Sequence, residues 1–411
     1  MQYNRRNVYG MNRTSTPMYG GNGRLFTTIG LFAVLCVAVF VIGQKGQRGR
    51  QTEEPLQIQG FAFDTTYKIT IYEGGDETLL QKCISLCSEY ENRISRTRES
   101  SEVYQINSLS KEFLSLLTEE QKELLQKGDA LSLSEEERAG YENKLSEKCP
   151  EAFTETSCTI HEDGSIFFHI SDFLKDLVQS AQKYGTLSEG CFTMAIEPVS
   201  SQWDFTAENP VAPEEESIEK AVPYVTKGKI NLTEDRMQFT LPGTAMEFGG
   251  IAKGYIADLL KSTLMQGGVV SGLIDLGGNI LCIGEKAGGE AFHIGIQQPF
   301  ADRSEVIATV AVKDVSVVSS GIYERYFEQD GMFYHHILDP NTGYPVDNDL
   351  MAVTIISEYS VDGDGLSTSC FGLGLERGME LIDSLDGVTA VFITKDEKMH
   401  YAEGFEDYLV R

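Results

Sequence analysis

The stretch Gly249–Leu260, GGIAKGYIADLL, carries the reading of the fold. Gly249 and Gly250 permit a tight turn with N–H groups pointing outward. Ile251, Tyr255 and Leu259 then recur at i, i+4 and i+8, the spacing of one helix face. A glycine turn entering a helix gathers unpaired N–H groups at the positive end of the helix dipole, which is an anion site by geometry. Lys253 falls in the first turn, where its ammonium can meet a phosphate. The pattern is neither GxGxxG nor a Walker loop, and a plain turn between strand and helix competes with the anion-site reading.

Around this turn, strand-like and helix-like runs alternate irregularly. KINLT (229–233) and RMQFTL (236–241) precede it, and GLIDLGGNILCIG (272–284), AFHIGIQQP (291–299), VSVVSSGIYERYF (315–327) and MAVTIIS (351–357) follow. Several pairs are hairpin-like, which predicts an α+β fold and not a regular doubly wound sheet. A first strand is expected at Phe61–Tyr72 (FAFDTTYKITIY). A helix follows at 79–95, with Leu79, Cys83, Leu86, Cys87 and Tyr90 on one stripe. Cys83 and Cys87 are spaced CxxxC, wrong for a CxxC zinc or redox pair, and read as core. Residues 108–170 are acidic and weakly hydrophobic. TEEQ at Thr118 and SEEE at Ser134 resemble capping boxes, so this segment is expected to be a surface insertion of short helices with little chemistry.

With 411 residues and a formal charge of −28, the chain is a poor nucleic-acid binder, because a phosphate backbone calls for clustered Lys and Arg. The N-terminus differs. Residues 1–24 carry Arg5, Arg6, Arg13 and Arg24 and no acid, and Leu25–Gly43 is an uncharged apolar run long enough to span a bilayer. A cleaved signal peptide has a shorter run, and Leu35 before Cys36 does not suit a lipoprotein site. The expectation is an uncleaved single-pass signal anchor at 25–43 and a linker at 44–60. The body, 61–411, then lies outside the cytoplasm at the cell membrane.

Three further stretches can carry chemistry. In DLGGN (Asp275–Asn279) a glycine pair between apolar runs marks either a bulge or close approach of a ligand. In DGDGLSTSC (362–370) Asp364 and Thr368 are four apart on a helix, so a carboxylate and a hydroxyl share one face; such hard oxygens suit Mg²⁺, and an Asp cap with a buried Thr is the alternative. In FYHHILDPNTGYP (333–345), Pro340, Gly343 and Pro345 make a turn after an apolar segment. Adjacent strand residues face opposite ways, so only one of His335 and His336 can enter a given pocket. A pocket histidine is a natural general base near neutral pH, although a lone strand histidine is more often structural.

Taken in this order, GGIAKGYIAD, IDLGGNI, SSGIYER, HHILDPNTGYP and DGLSTS resemble the ApbE family of FAD:protein FMN transferases. FDTTYKITI, SRTRESSEVYQIN and GCFTMAIEPV are weaker matches. The resemblance spans nearly everything from Phe61 onward except the insertion. It implies a single large domain of mixed sheets and helices, T-fold-like. It implies an enzyme that cleaves FAD with Mg²⁺ and attaches FMN to a Thr or Ser of a partner, releasing AMP. FAD is then a substrate, and the partner is an extracytoplasmic electron-transfer protein with a flavin-binding domain, such as a sodium- or proton-pumping reductase.

By resemblance, Asp364, Thr368 and the Gly250 carbonyl match the metal ligands, and His336 the catalytic histidine. Lys253 matches a lysine beside the phosphates, with Gly249, Gly250, Ala252, Asp275, Gly277, Ser320, Gly321 and Ile337 in cofactor-lining segments. The family's usual Asp residues are replaced by Thr193 and Glu247; the first puts flavin contacts near Cys191–Met194 in question, and the second is a mild change. A pyrophosphatase yielding FMN and AMP, or a tethered FAD carrier, are the alternatives.

Overall fold

An antiparallel sheet of eight strands organises the protein, and along it the strands follow one another in chain order. They are β1 (Leu56–Ala62), β2 (Thr65–Glu73), β3 (Ser271–Leu276), β4 (Asn279–Gly284), β5 (Ser316–Gly321), β6 (Leu350–Ser357), β7 (Val388–Thr394) and β8 (Met399–Tyr401). Every residue of β6 is buried, as expected of a largely apolar strand covered on both faces. The computed structural model describes residues 54–302 and 304–410. The expected basic tail, membrane anchor and first part of the linker lie outside these residues. Among the described residues no helix is long and apolar enough to cross a membrane.

Six helices matter for the site: α1 (Glu77–Ile94), α2 (Glu102–Leu116), α3 (Asp172–Leu187), α4 (Ala252–Gln266), α5 (Ser360–Leu373) and α6 (Leu375–Asp383). Helix α4 packs on β3 and β4, α5 packs on β5 and β6, and the two helices pack on each other. The mixed α+β architecture is as the sequence predicts. Cys83 and Cys87 are buried free thiols in the core.

Three local expectations are corrected. The segment read as linker through Gly60 already forms β1 from Leu56, and the single strand expected over 61–72 is the second half of a hairpin. Its turn places Phe63 and Asp64 at φ 55° and 60°. Two successive positive-φ residues match the strand twist in a tight hairpin, but Asn-Gly usually signals them, and here Phe63 is held instead by packing on the core. The glycine pair of DLGGN is likewise a two-residue turn between β3 and β4, with Gly277 and Gly278 at φ 64° and 90°, not a bulge within a strand.

The acidic insertion is also more than surface. Its helices at Glu119–Lys127 and Glu135–Lys148 open on the capping boxes expected at Thr118 and Ser134. Leu125, Leu131, Leu133, Leu145, Ile160, Ile166 and Phe168, however, join the main core, and Ile166–Phe168 pairs with Met237–Phe239 in a small four-stranded sheet. The segment reads as polar because its buried positions are few and widely spaced among charged ones.

Candidate active site

The loop that enters α4 is held from behind by α2. Asn107 accepts the N–H of Met246 and donates to its carbonyl, both at 2.8 Å, as a neighbouring strand would. Ser110 accepts the N–H of Gly243 at 3.0 Å. These two residues are pins for the glycine turn, and sequence reasoning missed them; the segment around Asn107 matched without a role being visible. Glu247 accepts from Ser200 at 2.7 Å and pairs with Arg96 at 3.3 Å. Thr193 caps the N–H of Ala195 at 3.1 Å, a bond a carboxylate would also make. Both residues that depart from the family pattern therefore serve the local scaffold.

At the start of α4, two helices meet backbone to backbone. Gly254 donates its N–H to Asp364 Oδ2 at 2.9 Å. A Cβ at position 254 would stand 2.3 Å from the Ser360 carbonyl oxygen and 2.8 Å from Asp364 Cβ, so only glycine allows this approach. One helical turn separates Asp364 from Thr368, and they share a helix face as the four-residue spacing predicts, Asp364 meeting Gly254 of α4 and Thr368 the Gly250 turn before it. Asp364 is 3% exposed. Gly250 lies against Thr368, where an added Cβ would stand 3.2 Å from the hydroxyl oxygen. Ser320 at the end of β5 lies 3.4 Å from the Thr368 hydroxyl and 2.8 Å from that of Ser367.

Lys253 reaches back over this cluster. Its ammonium donates to the Gly249 carbonyl at 3.1 Å and lies 3.7 Å from Asp364 Oδ1. A positive group thus already sits between a backbone oxygen and the buried carboxylate. The donor set contains one carboxylate and otherwise neutral oxygens; among the described residues no group of three or more His, Cys, Asp or Glu is placed to hold a metal. That composition fits Mg²⁺, which takes few protein carboxylates and completes its shell with waters and substrate phosphates.

The histidine pair divides between core and site. His335 ends the strand Met332–His335 and is 6% exposed; its Nε2 pairs with the Val346 carbonyl at 3.2 Å and its Nδ1 accepts the Ile337 N–H at 3.3 Å. His336 turns the other way. Its Nδ1 lies 3.3 Å from the Arg325 carbonyl, which can only accept. The ring proton therefore belongs on Nδ1, and Nε2 is left with the lone pair that a base needs. Loss of hydration at this half-buried position, with the charges of Arg325 and Lys253 adding to it, pushes the His336 pKa down to about 3. The imidazole is neutral across the physiological range.

Arg325 links this base to the first hairpin. Its guanidinium pairs with the Asp64 carboxylate and carbonyl, each at 2.9 Å. The DPNTG turn beyond His336 closes through Gly343 N–H to Asp339 O at 2.8 Å, and Trp203 Nε1 donates to the Gly343 carbonyl at 3.0 Å. Trp203 anchors a second small core with Ile218, Phe327 and Leu338, which fixes the strand ending at His335 and the turn that follows it.

Other expected site residues are placed differently. Ala252 and Ile337 are buried in the core, and Ile337 has its N–H on His335 and its C=O on Val346, so both act as backing. Asp275 accepts the N–H of Gly278 at 3.1 Å within its own turn. Gly277 fits against Thr65, whose hydroxyl oxygen would lie 2.0 Å from an added Cβ, so the β3–β4 turn abuts the β1–β2 turn. Gly321 ends β5 beside Tyr323.

A helix N-terminus bearing an ammonium, a buried carboxylate and hydroxyl facing it, and a neutral imidazole with a free Nε2 are equipment for transfer at phosphorus. The chain belongs to the ApbE family, whose model matches residues 136–392. It is 39% identical over 222 residues to the FAD:protein FMN transferase of Klebsiella pneumoniae (strain 342), covering 54% of this chain and 68% of that protein. To the FAD:protein FMN transferase of Treponema pallidum (strain Nichols) it is 32% identical over 259 residues, 59% of this chain and 72% of that one. Its fold matches the ApbE protein from Thermotoga maritima (TM-score 0.66, 24% identity, 87% of this chain and 100% of that one). It also matches the flavin transferase ApbE from Vibrio cholerae (TM-score 0.65, 22% identity, 87% and 99%). The family match begins inside the acidic insertion, which sequence reasoning sets apart from the resemblance.

Proposed function

We propose that this enzyme is a FAD:protein FMN transferase that moves FMN from FAD to a Thr or Ser hydroxyl of an acceptor protein. The observation that carries this is the meeting of the α4 N-terminus with the Asp364–Thr368 face of α5, one ammonium between them and a neutral histidine nearby. In the reaction the acceptor Oγ forms a bond to the FMN phosphorus. The bond from that phosphorus to the bridging pyrophosphate oxygen breaks, and AMP leaves with that oxygen. His336 Nε2 takes the hydroxyl proton, its Nδ1–H held by the Arg325 carbonyl. Lys253 and the N–H groups at the α4 N-terminus take up charge that moves onto the pyrophosphate.

Mg²⁺, held by Asp364, Thr368 and the Gly250 carbonyl, supplies charge neutralisation and orientation of the pyrophosphate when bound. The flavin end lies with Ser320, Gly321 and the paired turns containing Gly277 and Asp275. The acceptor is proposed to be a flavin-binding domain of an extracytoplasmic electron-transfer protein. A membrane anchor at 25–43 would hold the enzyme beside it and raise the effective concentration.

The test is to incubate the full chain in detergent with FAD, Mg²⁺ and a candidate acceptor, then weigh the acceptor. A mass gain of one FMN phosphoester on Thr or Ser, with AMP released, is expected. Free FMN and AMP without acceptor modification would make the protein a pyrophosphatase, and intact FAD a carrier.

A further inference from the structure

Helices α4 and α5 are bound reciprocally at their first turns. Asp364 of α5 takes the Gly254 N–H of α4, as described above. In return Asp258, one turn further along α4, accepts the N–H of Ser360 through Oδ1 and the N–H of Val361 through Oδ2, both at 2.9 Å. These are the first two N–H groups of α5, whose own preceding residue, Tyr359, makes no side-chain cap. A carboxylate from another helix therefore does the capping, with both oxygens engaged. Burial raises the pKa of Asp258 to about 6, although the two N–H groups and Lys261 favour its charged form. A surface cap would not carry that cost.

The other ties of the α5 N-terminus run elsewhere. Asp362 accepts from Tyr184 and Lys183 on α3, each at 2.6 Å, and the Ser360 hydroxyl pairs with Asn279 at 2.6 Å and Ser316 at 3.0 Å in the sheet. Those bonds fix α5 to α3 and the sheet. The Asp258 bonds fix it to α4, the helix whose first turn supplies Gly250 and Lys253 to the site.

We propose that Asp258 is a positioning residue for the transfer reaction: by holding the α5 N-terminus it sets where Asp364 and Thr368 stand relative to Gly250 and Lys253. This rests on the metal and pyrophosphate site proposed above. Partners that orient metal ligands typically matter 10- to 100-fold for metal affinity or activity. Asp258→Asn in the full chain leaves one acceptor oxygen and turns an amide N–H₂ toward the second helix N–H. With saturating FAD and no acceptor, Mn²⁺ binding read by EPR is expected to weaken about 10-fold or more. FAD binding in EDTA, followed by flavin fluorescence, stays unchanged.

Asp76→Asn supplies the control. Asp76 caps α1 at the Leu79 N–H, 3.0 Å, and its loss is expected to cost stability without altering Mn²⁺ affinity. Hydrogen exchange in the wild-type protein gives a second readout that does not depend on a folded variant. Mn²⁺ saturation is expected to slow exchange at the Ser360 and Val361 amides and to leave the Leu79 amide unchanged, because coupling between sites is reciprocal. Wild-type Mn²⁺ affinity in Asp258→Asn, or no change at those two amides, overturns the role given to Asp258. No Mn²⁺ binding by the wild-type protein overturns the metal site itself.

Discussion

Replacing Gly254 by Ala pits two known magnitudes against each other. In a helix interior the exchange gains about 1 kcal/mol from propensity alone. Here the new Cβ would stand 2.3 Å from the Ser360 carbonyl oxygen and 2.8 Å from Asp364 Cβ. Relief requires α4 and α5 to separate by about 1 Å at their closest point, since neither contact is the free end of a flexible side chain. Overpacking of this kind costs about 1–3 kcal/mol, so the net effect on stability is a loss of up to about 2 kcal/mol. The effect on catalysis is larger. The displaced elements carry Lys253 on one side and Asp364 with Thr368 on the other, and an error of about 1 Å in such a site costs about 100-fold in rate. Urea denaturation and initial rates of acceptor flavinylation measure the two quantities. A variant that is more stable than wild type and transfers at the wild-type rate would refute the close approach of the two helices and the site built on it.

Two further predictions concern protons. With the His336 pKa pushed down to about 3, kcat/KM for transfer should stay level as pH falls from 7.5 to about 5, because the base remains neutral; an acid limb with a midpoint near 6.5, removed by substitution of His336, would contradict this. His335 is held neutral to about 4 by burial, whereas in the unfolded chain it takes up a proton near 6.5. The unfolded state binds more protons in that window, so this residue's contribution is complete above 6.5 and is lost as pH falls toward 4, by about 3 kcal/mol. His335→Asn should flatten the stability–pH curve between 6.5 and 4 by that amount relative to wild type, and an unchanged slope would show that His335 titrates normally in the fold.

Much of the candidate site is legible in the sequence, and less of its support. Asp364 and Thr368 are legible because helical spacing alone puts residues four apart on one face; the strand expected to carry both histidines ends at His335, yet the two rings still have separate partners, Val346 and Arg325. The hairpin at Phe63–Asp64 is not: its positive φ values fall on residues that do not signal them, and tertiary packing holds them. Asn107 and Ser110 are hidden for a different reason. Each acts on a backbone more than 100 positions away, |i−j| being 139 and 133, and local pattern carries no trace of such contacts. Asp258 sits inside the stretch that decides the fold, yet its partners are the first amides of another helix. A carboxylate one turn into an amphipathic helix otherwise reads as a solvated face.

In the proposed transfer His336 removes the acceptor's proton. The most direct test weighs an acceptor domain after incubation with FAD, Mg²⁺ and either the wild-type chain or His336→Ala, alongside flavin fluorescence to follow FAD binding. Flavinylated acceptor with the wild type, at least about 100-fold slower modification with the variant, and equal FAD binding by both are expected. Full transfer by His336→Ala would rule out His336 as the base.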